Sequence, residues 1–324
     1  MTLRALLTGA SGFVGTAVGM ALREAGLDVV QVSRKPREQK NGTVLVGDLG
    51  DSNFVDSCVD GADVIVHCAG RTGAGGHELF DVNRDMAFSL ARAARKHGVR
   101  HFIHVSSTGV FGVCSAALVQ GEDSPCDPAN DYERSKFEGE RAVLGEADRA
   151  MFVTVVRPSN VFGEHHPWQK LLTWFASVQR GRILLAGDLE SQWVNYVYVG
   201  DVSRSIAELA RRGPAADANS DRYIINTPTT LREFVQASAM AVGVECTPWV
   251  APKFPLLTAA AACDVVGIIR GRPLPLTRGK VHEILNRRVF SVDKLQRSIP
   301  EFPFIGIQRG LQRTATWYRS LGLL

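Results

Sequence analysis

The chain's 324 residues exceed one average domain and suit a ligand-binding domain that carries a smaller lobe. Hydrophobic residues make up 45% and charged residues 22%, which excludes a disordered chain and leaves material for a large core. A net charge of +4, with no basic run longer than Arg34-Lys35 and no interleaving of aromatic and basic residues, argues against nucleic acid as a partner.

Apolar residues from Leu6 lead straight into Gly9, Gly12 and Gly15, and an amphipathic run follows to Gly26. The pattern predicts a buried strand, a tight turn and a helix, the arrangement that seats a dinucleotide pyrophosphate against free N–H groups and a positive dipole end. Asp28 to Lys35 predicts a second strand. It ends on Ser33 and Arg34 where an acidic residue would hold both ribose hydroxyls; these residues suit a 2′-phosphate, so NADP is favoured and NAD stays open.

Thr43 to Leu49 reads as a third strand with Asp48 placed to accept from an adenine amino group, and Ala62 to Gly70 as an apolar fourth strand running into small residues. A helix is expected from Asn83 to His97, closed by Gly98, and a fifth strand from His101 to Ser107. Tyr132 opens a helix to about Gly145, and Phe152 to Arg157 supplies a sixth strand. Beyond Pro158 the alternation breaks. His165, His166, Pro167 and Trp168 precede an apolar helix, Val194 to Val199 returns as a strand, Asp201 is expected to cap a helix to Ala210, and Tyr223 to Asn226 is a last strand. Helices and proline-rich loops fill the remainder.

The six cysteines, Cys58, Cys68, Cys114, Cys126, Cys246 and Cys263, share no Cys-x-x-Cys spacing and read as reduced thiols, with no metal site. The glycine turn lies too near Met1 for a signal peptide, so a cytoplasmic protein is expected. Phe254 to Ile269 is interrupted by Asp264 and is too short to span a bilayer; a buried helix is expected there, with peripheral membrane contact as the lesser option.

Tyr132 and Lys136, four apart, share a helix face, and a nearby ammonium favours the phenolate of a residue whose ordinary pKa is about 10. With Ser107 at a strand end to bond the substrate oxygen, the set suits hydride transfer between a secondary alcohol or ketone and a nicotinamide, Tyr132 moving the proton.

Thr8-Gly-Ala-Ser-Gly-Phe-Val-Gly15, Asp48-Leu49, His67-Cys-Ala-Gly70, Val105 to Gly112, Tyr132-x-x-Ser-Lys136 and Arg157-Pro-Ser-Asn-Val-Phe-Gly163 together resemble the extended short-chain dehydrogenase/reductase family, in its NAD(P)-dependent epimerase/dehydratase group. The resemblance implies an α/β fold: a doubly wound parallel Rossmann sheet, residues 1–163 plus 193–226, with a smaller, mostly helical substrate lobe, residues 164–192 plus 227–324. It implies catalysis by Ser107, Tyr132 and Lys136. Cofactor contacts would fall on Gly9, Ser11, Gly12, Phe13, Val14, Gly15, Ser33, Arg34, Asp48, Leu49, Cys68, Ala69, Gly70, Asn83, Tyr132, Lys136 and Pro158. Substrate contacts would fall on Thr108, Asn160, His166 and Val194, and a homodimer would pair through helices near 85–97 and 132–145.

Departures from the family narrow the reaction. Thr108 and Gly109 stand where dehydratases carry Asp-Glu, and Gly109 stands where GDP-fucose synthases carry cysteine. Asn160 matches an asparagine that contacts the nucleotide sugar in epimerases, which favours a nucleotide-sugar epimerase or 4-ketoreductase. Val194 replaces the arginine that clamps the diphosphate, with Arg182, Arg287 and Arg288 as substitutes to consider. Gly75, Gly76, Phe80, the stretch from Pro255 to Asp264, Pro275-Leu-Thr-Arg278 and Phe290 to Lys294 are similar to the 3β-hydroxysteroid dehydrogenase branch, so an apolar alcohol is the alternative substrate. A non-catalytic NADP-binding regulator is the alternative from another class.

Overall fold

The computed structural model describes residues 2–36, 42–73, 76–112, 119–166, 170–213, 218–270 and 288–324. Cys114, Gly75, Pro167, Trp168, Arg287 and Pro275 to Arg278 lie outside the described residues. Seven parallel strands form the main sheet: β1 (Arg4–Thr8), β2 (Asp28–Ser33), β3 (Thr43–Val46), β4 (Val64–His67), β5 (His101–Val105), β7 (Phe152–Pro158) and β11 (Ser220–Ile225), in the order β11-β7-β5-β4-β1-β2-β3. Parallel strands need crossover helices, so both faces are covered and the strands are apolar throughout. On one face Ala5 and Leu7 of β1 pack with Val18 and Leu22 of α1 (Phe13–Glu24) and with Val202, Ile206 and Leu209 of α7 (Val199–Arg212). On the other face Leu6, Ile65 and Phe102 meet Val55 and Cys58 of α2 (Ser52–Val59), Leu90 and Ala94 of α4 (Met86–Lys96), and Val143 of α5 (Asp131–Leu144).

The predicted strands are present, with shorter ends. The second stops at Ser33, the third at Val46, the fourth at His67 and the fifth at Val105, so the polar residues after each hang in loops along one edge of the sheet. That edge, where strand order reverses between β1 and β4, is where an open parallel sheet binds ligands.

The helix expected from Asn83 begins otherwise. α3 (Gly76–Phe80) runs into a π-helical turn, Asp81–Asp85, before α4 starts at Met86. The wider turn lets the Asn83 amide point inward, where it accepts from the Arg71 N–H at 2.8 Å and donates to the Arg71 carbonyl and to Ser135 Oγ at 3.0 and 2.9 Å.

A second layer of structure lies beyond Pro158. β10 (Trp193–Tyr198) pairs with β8 (Asn160–Phe162) and β12 (Thr227–Thr230) in a separate three-stranded sheet. Around it pack α6 (Lys170–Gln179), α8 (Leu231–Val242) and, after α10 (Asp293–Ser298), α11 (Gly306–Ser320), burying Phe175, Phe234, Leu311 and Tyr318. β9 (Leu184–Ala186) pairs with β13 (Trp249–Ala251), and β6 (Val119–Gln120) with β14 (Val289–Phe290).

Two expectations are corrected here. Asp201 does not cap its own helix, which starts at Val199; fully buried, it accepts from the Ile305 and Gly306 N–H groups at 2.7 and 2.9 Å and so caps α11 across the molecule. The stretch from Phe254 to Ile269 is a helix, α9 (Lys253–Ile269), but not a buried one: Thr258, Ala259, Ala262, Val265 and Val266 all face outward. Ala260 and Gly267 alone among its described side positions are buried. Among the described residues no helix is long and apolar enough to cross a membrane.

Candidate active site

The turn from Thr8 to Gly15 is shaped by what its glycines exclude. Gly9 has φ of 69°, and a side chain there would meet the Ala69 N at 2.4 Å; one at Gly15 would meet the Gly9 carbonyl oxygen at 2.1 Å. At Gly12 a side chain would meet only the Gly9 carbonyl oxygen, at 3.3 Å. Gly12 also precedes α1 with no side chain bonded to the first N–H groups of the helix. An anion meets free N–H groups and no Cβ, so these residues fit a dinucleotide pyrophosphate.

At the end of β2, Arg34 is exposed while the Ser33 Oγ donates to the Lys35 carbonyl at 2.8 Å, which fixes the turn that presents Arg34. Asp48 is exposed, and its Oδ1 accepts from the Gly50 N–H at 2.9 Å, leaving the other oxygen outward. Leu49 packs against the core face formed by α2 and α4.

From this turn a cavity of about 830 Å³ opens across the edge of the sheet. Phe13, Val14, Cys68, Gly70, Asn83, Pro158, Ser107, Tyr132 and Lys136 all line it, and so do Asn160, His166 and Val194. Thr108 is not among the lining residues; it is buried in a short 3-10 turn, Thr108–Phe111. The paired histidines separate as well. His166 meets Phe13 edge-on at 4.6 Å on the cavity side, whereas His165, at φ of 65°, turns onto Trp317 at 5.1 Å.

Ser107 precedes that 3-10 turn, and its Oγ accepts from the Gly109 N–H at 3.0 Å. With a lone pair so occupied, its proton is free to be donated, and the hydroxyl is hydrogen-bonded to Tyr132. Burial pushes the Tyr132 phenol above its ordinary value, the Ser107 bond pulling it back and the Glu133 carboxylate adding to the rise. The expected downward pull by Lys136 is thus not the dominant influence; loss of water is.

Lys136 is fully buried, and its Nζ donates to the Val105 carbonyl at 2.6 Å. Burial lowers it to about 8, with Glu140, one turn further along α5, and Cys68 holding it up. Glu140 in turn receives Arg157 of β7 through Nε at 3.0 Å and Nη2 at 2.7 Å, and the guanidinium also donates to the Glu122 carbonyl and lies 4.9 Å from the Phe111 ring. Behind Lys136, His67 and His104 stack at 5.5 Å, wholly buried, with His67 Nδ1 2.7 Å from Thr8 Oγ1. Burial and the nearby ammonium hold both histidines neutral, His67 at about 3. The Cys68 thiol is pushed up to about 12 by burial, which disfavours the nucleophilic thiolate.

Eight apolar or aromatic side chains also line the cavity: Phe162, Leu171, Trp174, Val194, Tyr196, Leu231, Phe234 and Tyr318. Arg71 is the one arginine among its described lining residues. Arg182 is exposed elsewhere, and Arg288 donates to the Gly112 carbonyl at 2.5 Å, with its guanidinium over Phe290. The Asn160 amide donates to the Asn195 carbonyl at 3.0 Å. Sequence reasoning gives no role to Trp174, Phe234 or Tyr318, which come from three separated helices with no local pattern to join them. Glu140 had a legible signal in its four-residue spacing from Lys136.

A family model described as the NAD dependent epimerase/dehydratase family matches residues 5–225. Among characterised relatives, the 2-alkyl-3-oxoalkanoate reductase of Stenotrophomonas maltophilia is 28% identical, over 96% of this chain and 98% of the relative. The 3β-hydroxysteroid dehydrogenase/Δ5→4-isomerase of Mycobacterium tuberculosis is also 28% identical, over 98% and 91%. Among solved structures, UDP-glucose 4-epimerase of Thermotoga maritima, determined with UDP-glucose, matches with a TM-score of 0.73 at 20% identity, covering 98% of this chain and 99% of that one. With the family model spanning well over half of its length, this chain belongs to the NAD-dependent epimerase/dehydratase family of enzymes.

Proposed function

We propose that this enzyme interconverts a secondary alcohol and a ketone on an apolar, lipid-like substrate. The observation that carries the reading is the cavity lining, which holds eight apolar or aromatic side chains together with Tyr132 and Ser107; the resemblance to epimerases also sets Val194 where they carry a diphosphate-clamping arginine. A sugar diphosphate brings two negative charges that such a wall cannot pair, whereas an acyl chain or fused ring gains burial against it, about 25 cal/mol for each Å² covered. The relatives named as an oxoalkanoate reductase and a hydroxysteroid dehydrogenase support the same substrate class.

In this reading Tyr132 gives its proton to the substrate oxygen during ketone reduction and takes it back during alcohol oxidation, and Ser107 donates to the same oxygen to orient it. The Lys136 ammonium, fixed by the Val105 carbonyl, stabilises negative charge on the phenol as the proton leaves. The nicotinamide, when bound, supplies or accepts the hydride. Gly9, Ser11, Gly12 and Gly15 would hold the pyrophosphate, Asp48 the adenine, and Arg34 a 2′-phosphate, which makes NADP the preferred cofactor. We take the protein as a cytoplasmic homodimer paired through α4 and α5.

A second reading, a nucleotide-sugar epimerase or 4-ketoreductase, rests on Asn160 at the cavity. Incubation of the enzyme and NADPH or NADH with 2-alkyl-3-oxoalkanoates, 3-ketosteroids and UDP-sugars decides between them: turnover confined to UDP-sugars overturns the apolar reading. Tyr132→Phe tests the chemistry. Its cofactor affinity should match that of the unaltered enzyme while turnover falls by at least about a hundredfold; undiminished turnover removes Tyr132 from the mechanism. A regulator that only binds cofactor is indifferent to that substitution.

A further inference from the structure

One apolar surface is left without a role by the cavity, and its use rests on the lipid-like substrate just proposed. In the parallel pair β9–β13, Leu184 stands beside Trp249 in register; their exposures are 63% and 73%, and that of Val250 is 42%. A single residue, Pro252, separates this pair from α9. The outward positions of α9, Thr258, Ala259, Ala262, Val265 and Val266, recur at the helical period, and none is charged. Isolated exposed hydrophobics are ordinary, but a tryptophan and three valines on the consecutive β13 and α9, with a leucine on the strand paired to β13, are not.

Arginines flank this surface. Arg180 and Arg182 lie just before Leu184, Arg270 follows the end of α9, and all three are exposed and held in no ion pair among the described residues. A tryptophan beside aliphatic side chains, edged by arginines, matches the headgroup zone of a bilayer, where the indole sits at the boundary and guanidiniums reach lipid phosphates. Pairing of this face with its own copy is disfavoured. The same patch would meet itself, bringing Arg182 beside Leu184 toward its own copy. α6, which supplies Leu171 and Trp174 to the cavity lining, ends at Gln179, directly before Arg180.

We infer that the β9–β13 pair and the outward face of α9 form a docking surface for an anionic lipid bilayer, from which the apolar substrate enters the cavity. Co-sedimentation with phosphatidylcholine vesicles, with and without phosphatidylglycerol, tests this without any substrate. The unaltered protein should pellet with the anionic vesicles and be released as salt is raised. Trp249→Glu and the double variant Val265→Asp/Val266→Asp should each lose at least about tenfold in binding to either vesicle, and Arg180→Glu/Arg182→Glu a similar factor on the anionic vesicles alone. Thermal melts matching the unaltered protein show that these variants fold.

No pelleting of the unaltered protein, or equal pelleting of every variant, overturns the inference. So does a dimer in sedimentation velocity that Val265→Asp/Val266→Asp dissociates, since that assigns the face to a second copy. Vesicle binding by an enzyme that turns over only UDP-sugars would leave the docking surface standing and overturn the substrate reading instead.

Discussion

Replacing Glu140 by glutamine keeps the side chain's volume and removes one buried charge. Glu140 and Arg157 are 1% and 3% exposed, and the carboxylate receives both Nε and Nη2 of the guanidinium. Breaking one half of a buried pair costs about 3–5 kcal/mol, because the remaining charge is left without compensation. Arg157 keeps its bond to the Glu122 carbonyl and its place over Phe111, so the lower end, about 3 kcal/mol, is expected in urea unfolding. A second effect reaches Lys136. Burial already holds that ammonium down to about 8 and Glu140 props it up, so without the carboxylate it loses its proton at a lower pH. Activity that depends on the charged lysine then falls away earlier as pH rises, and the alkaline limb of the pH–rate profile moves to lower pH. Unchanged stability would refute the buried pair; an unchanged alkaline limb with lowered stability would show that Glu140 serves Arg157 alone.

Arg34→Ala should weaken NADPH binding at least about tenfold and leave NADH untouched, measured by fluorescence titration, since a charge-assisted contact is worth about 1.5–3 kcal/mol; equal losses for both nucleotides would remove Arg34 from the 2′-phosphate. Burial holds His67 at about 3, His101 at about 4 and His104 well below 6.5. Their folded values lie below the unfolded one, so stability is complete above pH 6.5 and is lost as pH falls, because the unfolded chain takes up the protons. Three such histidines cost about 4 kcal/mol between pH 7.5 and 5.5, and a urea midpoint that stays constant over that interval would contradict their neutral burial. Gly139→Ala places a methyl 2.1 Å from the Asn83 carbonyl oxygen. The resulting shift of α5 should cost about 1–3 kcal/mol in urea unfolding and lower kcat more than it raises KM; a variant as stable and as active as the parent would mean that α5 does not need this close approach.

Local rules made the first half of the site legible. The turn at Gly9, Gly12 and Gly15 is specified by backbone conformation, and the shared face of Tyr132 and Lys136 by helical period, so both are visible in short windows. Asp201 misleads because an acidic residue in a first turn looks like a local cap, while its real partners, Ile305 and Gly306, are a hundred residues away. The π-helical turn at Asn83 carries no compositional mark. Its cause is tertiary: the amide must reach both the backbone of Arg71 and Ser135. Hydropathy suggested burial for α9, yet its outward positions are small or aliphatic without being covered. The cavity wall was illegible for a similar reason, since Phe162, Tyr196, Phe234 and Tyr318 converge only once β8, β10, α8 and α11 have packed.

The origin of that wall has a consequence for how this enzyme changes over generations. Ser107, Tyr132 and Lys136 stand on the main sheet's edge and on α5, whereas Leu171, Trp174, Val194, Phe234 and Tyr318 come from β10, α6, α8 and α11. A substitution in the wall alters which molecule fits without touching the groups proposed to move protons. Under the proposed assignment the repertoire of substrates can drift while the chemistry is kept, and a library confined to those five positions should change substrate preference with little loss of turnover on the best new substrate.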